Sequence, residues 1–168
     1  MKMIFETERL VIRKLLISDL QPFFELESNA KVLQYATGEV KTLDECKKEL
    51  AELIEKYERE TNDFWIYAIV NKGDEKFVGT VALVKDENGN DEIGYRFIER
   101  YWGNGYATET CKGLISYCKE IGMKRIIGNV VNANVASERI LIKMGFRKVK
   151  DFISDDIGLP ETMYELEL

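Results

Sequence analysis

The chain has 168 residues, with 24 basic and 30 acidic side chains, no histidine and a formal net charge of −6 at pH 7. The acidic balance disfavours a nucleic-acid-binding surface, whose affinity rests on cations. The missing histidine removes imidazole bases, imidazole-activated nucleophiles and histidine metal ligands together, leaving proton transfer to carboxylates, tyrosine, cysteine, lysine, hydroxyls or water.

No apolar run reaches the roughly 18 to 20 residues of a membrane span. The N-terminus lacks the apolar core of a signal peptide. The expectation is a cytoplasmic single domain over residues 1–168 with no membrane or nucleic-acid partner. Cys46, Cys111 and Cys118 are odd in number and lack C-x-x-C spacing, so they read as small buried hydrophobes and no metal is expected.

In chain order, Thr7 to Lys14 sets Leu10 and Ile12 against charged neighbours and reads as a half-buried strand. Ser18 or Asp19 caps a short helix with Pro22 in its first turn. Thr42-Leu-Asp-Glu45 is a capping box opening a helix to Glu60, with Leu43, Cys46, Leu50, Leu53, Ile54 and Tyr57 on one face. Phe64 to Val70, Phe77 to Val84 and Glu92 to Ile98 are rich in β-branched and aromatic residues and read as strands. Asn88-Gly89 joins the last two as a hairpin turn.

After Gly105 the period changes. Ala107, Cys111, Leu114, Ile115, Cys118 and Ile121 follow steps of three and four, a helix stopped at Gly122. Lys124 to Val131 is a further strand. Asn134 caps a helix to Met144 that ends on Gly145, and Phe146 to Ile153 and Thr162 to Leu168 are the final strands. The pattern is α/β (α+β): a mixed central sheet of about seven strands with helices on its faces. An edge strand near the C-terminus is a candidate contact for a homodimer.

The stretch Tyr101-Trp-Gly-Asn-Gly-Tyr-Ala107 joins a strand to that helix. Gly103 and Gly105 let backbone N–H groups approach an anion, and the helix dipole favours negative charge there. Arg100 adds a cation. A plain glycine turn is the competing reading. A dinucleotide fingerprint would need glycine where Thr108 stands, and no Walker-type G-x-x-x-x-G-K-[ST] occurs.

The run Arg100-x-x-Gly103-x-Gly105, followed by Asn134-x-x-Ser137 and Lys143-Met-Gly-Phe146, resembles the acetyl-CoA site of the GNAT N-acetyltransferases. The opening Thr7-Glu-Arg-Leu-Val-Ile-Arg-Lys14 is similar to the branch containing ribosomal-protein-alanine N-acetyltransferases (RimJ/RimL-like). The resemblance implies acetyl transfer from acetyl-CoA to a primary amine, a protein N-terminus or a small molecule, by direct attack in a ternary complex. It implies that the amides of Trp102, Gly103, Asn104, Gly105, Tyr106, Ala107 and Thr108 bind the CoA pyrophosphate, with Arg100 assisting. A splayed strand pair would leave the Phe97 and Ile98 backbone free for pantetheine, with Asn134, Ser137 and Lys143 completing the cofactor site. Glu92 would be the general base. Many relatives carry a tyrosine where this chain has Leu141, so Ser137 or water would protonate the thiolate. Gln34, Tyr35, Trp65 and Tyr67 are candidate acceptor contacts. A non-catalytic acyl-CoA-binding module is the alternative.

Overall fold

The computed structural model describes residues 2–168. An eight-stranded sheet runs in the order β1-β2-β3-β4-β5-β6-β8-β7. The strands are β1 (Met3–Glu6), β2 (Leu10–Lys14), β3 (Phe64–Asn71), β4 (Phe77–Lys85), β5 (Asp91–Phe97), β6 (Arg125–Val131), β7 (Arg147–Ile153) and β8 (Pro160–Glu167). Five α-helices accompany them: α1 (Leu20–Glu27), α2 (Ala30–Leu33), α3 (Leu43–Lys56), α4 (Tyr106–Glu120) and α5 (Val135–Lys143). Neighbouring strands are antiparallel except β5 and β6, which are parallel because α4 carries the chain back between them.

Seven of these strands overlap the segments that read as strands in the sequence. The eighth, β1, has four residues, too few to display a period, and it pairs with β2 at the sheet edge. The one-turn helix α2 is equally short. At the start of α3 the capping box is present: Thr42 Oγ1 accepts from the Glu45 N–H at 3.2 Å, and Glu45 Oε2 accepts from the Thr42 N–H at 2.7 Å. The helix stops at Lys56 because Tyr57 turns inward, its hydroxyl donating to the Ile66 carbonyl and accepting from the Leu15 N–H. Asn88-Gly89 belongs to a longer hairpin loop than two residues. The Gly89 N–H donates to Asp86 O at 3.0 Å, the Asp86 N–H donates to Asn90 O at 2.9 Å, and Gly89 takes φ +79°.

Alternation along the strands divides the sheet into two faces. Thr80, Ala82 and Val84 of β4, Glu92, Gly94 and Arg96 of β5, Asn129 of β6 and Glu161 and Met163 of β8 share the face under α1 and α3. The opposite face packs on α4 and α5; the Phe97 ring meets Tyr106 of α4 at 6.4 Å. All three cysteines are buried, as their sequence context suggests.

Two ion clusters lie inside. Arg13 and Asp19 form a two-point pair at 2.7 and 2.8 Å. Glu27, at the end of α1, accepts from Arg96 Nη1 at 2.9 Å and from Lys41 Nζ at 3.2 Å, with its side chain only 3% exposed. Among the described residues no helix is long and apolar enough to cross a membrane.

Candidate active site

β5 and β6 share one registered pair, Glu92 with Ile127, and then part. On its other side β5 stays paired with β4 along its length, and the Ile98 N–H that follows donates to Val78 O at 2.9 Å. Backbone groups alternate direction along a strand, so Tyr95 and Phe97 turn theirs toward the gap. Trp102 Nε1 donates to Phe97 O at 2.8 Å, which leaves the Phe97 N–H and both Tyr95 groups facing the opening. Ile98 is therefore not a free strand edge as the sequence suggests; its N–H belongs to β4. Tyr95, which sequence reasoning missed, takes that place.

At one end of the gap stands the glycine loop. Gly103 and Gly105 adopt φ +77° and +78°, and Gly105 is the N-cap of α4 with no side chain capping the first turn. The opening N–H groups of α4 are thus left for an external acceptor. A Cβ on Gly103 would meet nothing within 4 Å, and one on Gly105 would meet only Arg9 Nη2 at 3.5 Å. Asn104 folds the loop by donating from Nδ2 to Tyr101 O at 2.9 Å, and its side chain does not line the cavity.

The cation beside the loop is Arg9, again unforeseen from sequence. Its Nη1 donates to Asn104 O at 2.9 Å, and its Nε donates to Glu109 Oε2 at 2.7 Å. Burial pushes the Glu109 carboxyl up, but hydrogen bonds from Thr7 and Arg9 outweigh it and hold the group below the usual carboxylate range. Arg100 faces elsewhere. Its guanidinium contacts Glu25 of α1, lies over the Tyr101 ring, and is not part of the cavity wall.

The gap opens into a cavity of about 1170 Å³ lined from both faces of the sheet. From the α4–α5 side come Trp102, Gly103, Gly105, Tyr106, Ala107, Thr108, Asn134 and Ser137. Asn134 caps α5, accepting from the Ser137 N–H and donating from Nδ2 to Ser137 Oγ at 3.2 Å. Lys143, in the last turn of α5, is exposed and away from the cavity. Leu141 is 3% exposed and fills the space above Gly128, where a Cβ would come within 2.9 Å of it.

The other half of the cavity is acidic. Glu87, Glu92, Asp155, Asp156 and Glu161 line it, on the β4–β5 and β7–β8 hairpins, and none joins an ion pair among the described residues. Glu92 sits at the root of the gap. Burial raises its pKa above the ordinary carboxylate value; the Asn129 amide opposes that, and the charges of Asp86, Glu161 and Asp156 reinforce it. Gln34 and Tyr35 line this half. Trp65 and Tyr67 do not: alternation along β3 sends Phe64 and Ile66 to the cavity, while Trp65 and Tyr67 stack with Tyr57 at 6.2 and 5.9 Å.

Gly94 lies on the cavity floor between Glu92 and Arg96. A Cβ there would rest 3.8 Å from the Ala82 Cβ, an ordinary contact, so packing does not demand glycine. Gly94→Val should fold as well as the parent, because valine suits a strand, yet raise KM for an acceptor by about tenfold, or 1.4 kcal/mol. Melting temperature and acceptor titration together check this.

The centre of the molecule is thus a sheet parted between parallel strands, with an uncapped helix N-terminus on one side and a carboxylate-lined cavity on the other. Residues 9–147 match the family described as acetyltransferase (GNAT) domain, and the chain belongs to that family. It is 30% identical over 149 residues to the uncharacterized N-acetyltransferase YoaA of Bacillus subtilis (strain 168), spanning 86% of this chain and 83% of that protein. With the uncharacterized N-acetyltransferase p20 of Bacillus licheniformis it shares 29% over 147 residues, spanning 84% and 81%. In fold it is similar to a GNAT-family acetyltransferase from Bacillus anthracis (TM-score 0.83, 24% identity, 99% and 98% covered). It is likewise similar to RimL, a ribosomal L7/L12 alpha-N-protein acetyltransferase in complex with coenzyme A (TM-score 0.84, 18% identity, 99% and 98% covered). The reaction class is acyl transfer from acetyl-CoA.

Proposed function

We propose that the protein moves an acetyl group from acetyl-CoA to a primary amine by direct attack, with Glu92 as general base. The observation that carries this reading is the opening between β5 and β6, which joins the glycine-fronted N-terminus of α4 to an acidic cavity with Glu92 at its root. The loop amides would hold the phosphate groups, with Arg9, which braces the loop from outside the cavity wall, adding its positive charge. An alkyl ammonium has a pKa of ~10.4, so the acceptor arrives as a cation, which the unpaired carboxylates draw in. Glu92 takes a proton from the ammonium and passes it to water, and the freed lone pair forms the C–N bond to the acetyl carbon; the nitrogen sheds its second proton to Glu92 as the tetrahedral adduct collapses. The N–H groups facing the gap from Tyr95 and Phe97 meet the developing oxyanion. The C–S bond breaks with its electron pair on sulfur, and the thiolate takes a proton on the side lined by Asn134 and Ser137. A cysteinyl intermediate has no support: burial pushes Cys111 and Cys118 up to about 12 and Cys46 up to about 11, so none is a thiolate near neutral pH.

Thiol release from acetyl-CoA, measured over a panel of peptides, diamines and simple alkylamines, tests the reading. Release above the acceptor-free control supports it, and none with any amine would leave a non-catalytic acyl-CoA-binding module, the reading that Leu141 favours. In a parallel calorimetric titration, Gly105→Glu should weaken acetyl-CoA binding by at least about a hundredfold. The substitution sets a carboxylate among the loop amides and forces a side chain onto φ +78°. Retained affinity would remove the loop from the site.

A further inference from the structure

Resting on the proposed acetyl transfer, we propose that Arg96 and Thr80 form a carboxylate subsite, so that the acceptor is a short aminocarboxylate lying along β5. Its amine points to Glu92 and its carboxylate to Arg96. The register of β4 against β5 lays out the cavity floor in three rows: Val84 with Glu92, Ala82 with Gly94, and Thr80 with Arg96. All six residues line the cavity. The floor therefore runs from an anion, across a small apolar row, to a cation. At about 3.4 Å per residue, roughly 13 Å separates Glu92 from Arg96 along the strand, and strand side chains stand nearly perpendicular to the sheet. An acceptor with a spacer of about four carbons, and a hydrogen bond of about 2.9 Å at each end, spans that distance.

Arg96 is anchored with one edge spare. Its Nη1 donates to Glu27 Oε1 at 2.9 Å, and that carboxylate is 3% exposed. Glu27 also pairs with Lys41, and Lys41 with Glu49, so the charges within the cluster balance. The anchor occupies one nitrogen. Nε and Nη2, the edge that meets a carboxylate in two parallel bonds, make no hydrogen bond among the described residues, and 32% of the side chain is open. Thr80 is 5% exposed, lines the cavity beside Arg96, and its hydroxyl makes no hydrogen bond among the described residues either. A buried hydroxyl without a partner costs free energy, and one carboxylate satisfies it together with the guanidinium edge. The same arrangement fixes the acceptor's direction. Glu87, Asp155, Asp156 and Glu161 repel a carboxylate at the Glu92 end and attract the ammonium there. Gly94, which packing does not require, clears the floor for the methylenes between the two charges.

Thiol release from acetyl-CoA with 5-aminopentanoate, pentylamine and 1,5-diaminopentane tests the assignment. Wild type should prefer 5-aminopentanoate to pentylamine by at least about tenfold in kcat/KM, through a lower KM. Arg96→Lys keeps a cation for Glu27 but loses the planar fork, and should shrink that preference by about tenfold. Thr80→Val keeps the shape and disturbs no charge; it should shrink the preference by about three- to tenfold, and it reads the subsite even if the arginine variant folds poorly. A wild-type preference below twofold, a preference that neither substitution alters, or 1,5-diaminopentane as the best of the three would each overturn the subsite. Pentylamine turnover reports acetyl transfer by itself. If no amine is turned over, calorimetric titration of 5-aminopentanoate and pentylamine into the CoA-bound protein makes the same comparison, with about tenfold tighter binding of the carboxylate expected and equal binding overturning the subsite.

Discussion

Glu92→Gln is expected to lower kcat by roughly 10²–10⁴-fold, the range for losing a positioned proton acceptor, while acetyl-CoA affinity holds. The pH dependence follows from the raised pKa of this group. Because the base must be ionised, wild-type rate should climb as pH rises through that raised value, and the variant should lose this rise. Stability moves the other way. A carboxyl whose folded pKa exceeds its unfolded value stabilises most when protonated, below the unfolded pKa, and that contribution is lost as pH rises through the folded one. Glutamine never ionises, so the melting temperature of the variant relative to wild type should increase with pH across the same window. Lower activity with equal or higher melting temperature is the joint signature; a rate within twofold of wild type would clear Glu92.

The second large effect concerns stability. Glu27→Ala removes the single anion between Arg96 and Lys41. Taking one partner from a fully buried pair costs about 3–5 kcal/mol. Arg96 and Lys41 keep 32% and 26% of their side chains in solvent, so the lower end applies. At about 2–4 °C per kcal/mol for a chain of this size, the melting temperature should fall by roughly 6 to 12 °C. Glu27→Gln, which retains an acceptor, should lose less. Lys41 keeps Glu49 as a partner, so Arg96 is the cation left unpaired, and a fall below about 2 °C for the alanine variant would mean solvent already satisfies it.

Local chemistry wrote much of this molecule into its sequence. The helical period after Gly105, the two flanking glycines, the capping box at Thr42 and the stops at Gly122 and Gly145 each depend on residues a few positions apart, and each is present. What sequence hid depends on partners far along the chain. Arg100 carries the right charge at the right spacing, yet Glu25 on α1 draws its side chain aside. Arg9, 95 residues from Asn104, braces the loop instead. The backbone of Ile98 is taken by Val78, and Tyr95 inherits the gap. Trp65 and Tyr67 have the composition of pocket residues, but the register of β3 decides which face they reach. Glu92 could be named because it heads its strand, whereas its burial and its acidic neighbours emerge only when β7 and β8 fold across.

The sheet consists of two leaves. β1 to β5 form one, β6, β8 and β7 the other, and a single rung, Glu92 with Ile127, ties them side by side. A thioester arm lying along Tyr95 and Phe97 would serve as a temporary ninth strand, completing the ladder that the polypeptide leaves unfinished. Loading would then change the mechanical continuity of the whole sheet, and each turnover would end by withdrawing a structural member as well as a product.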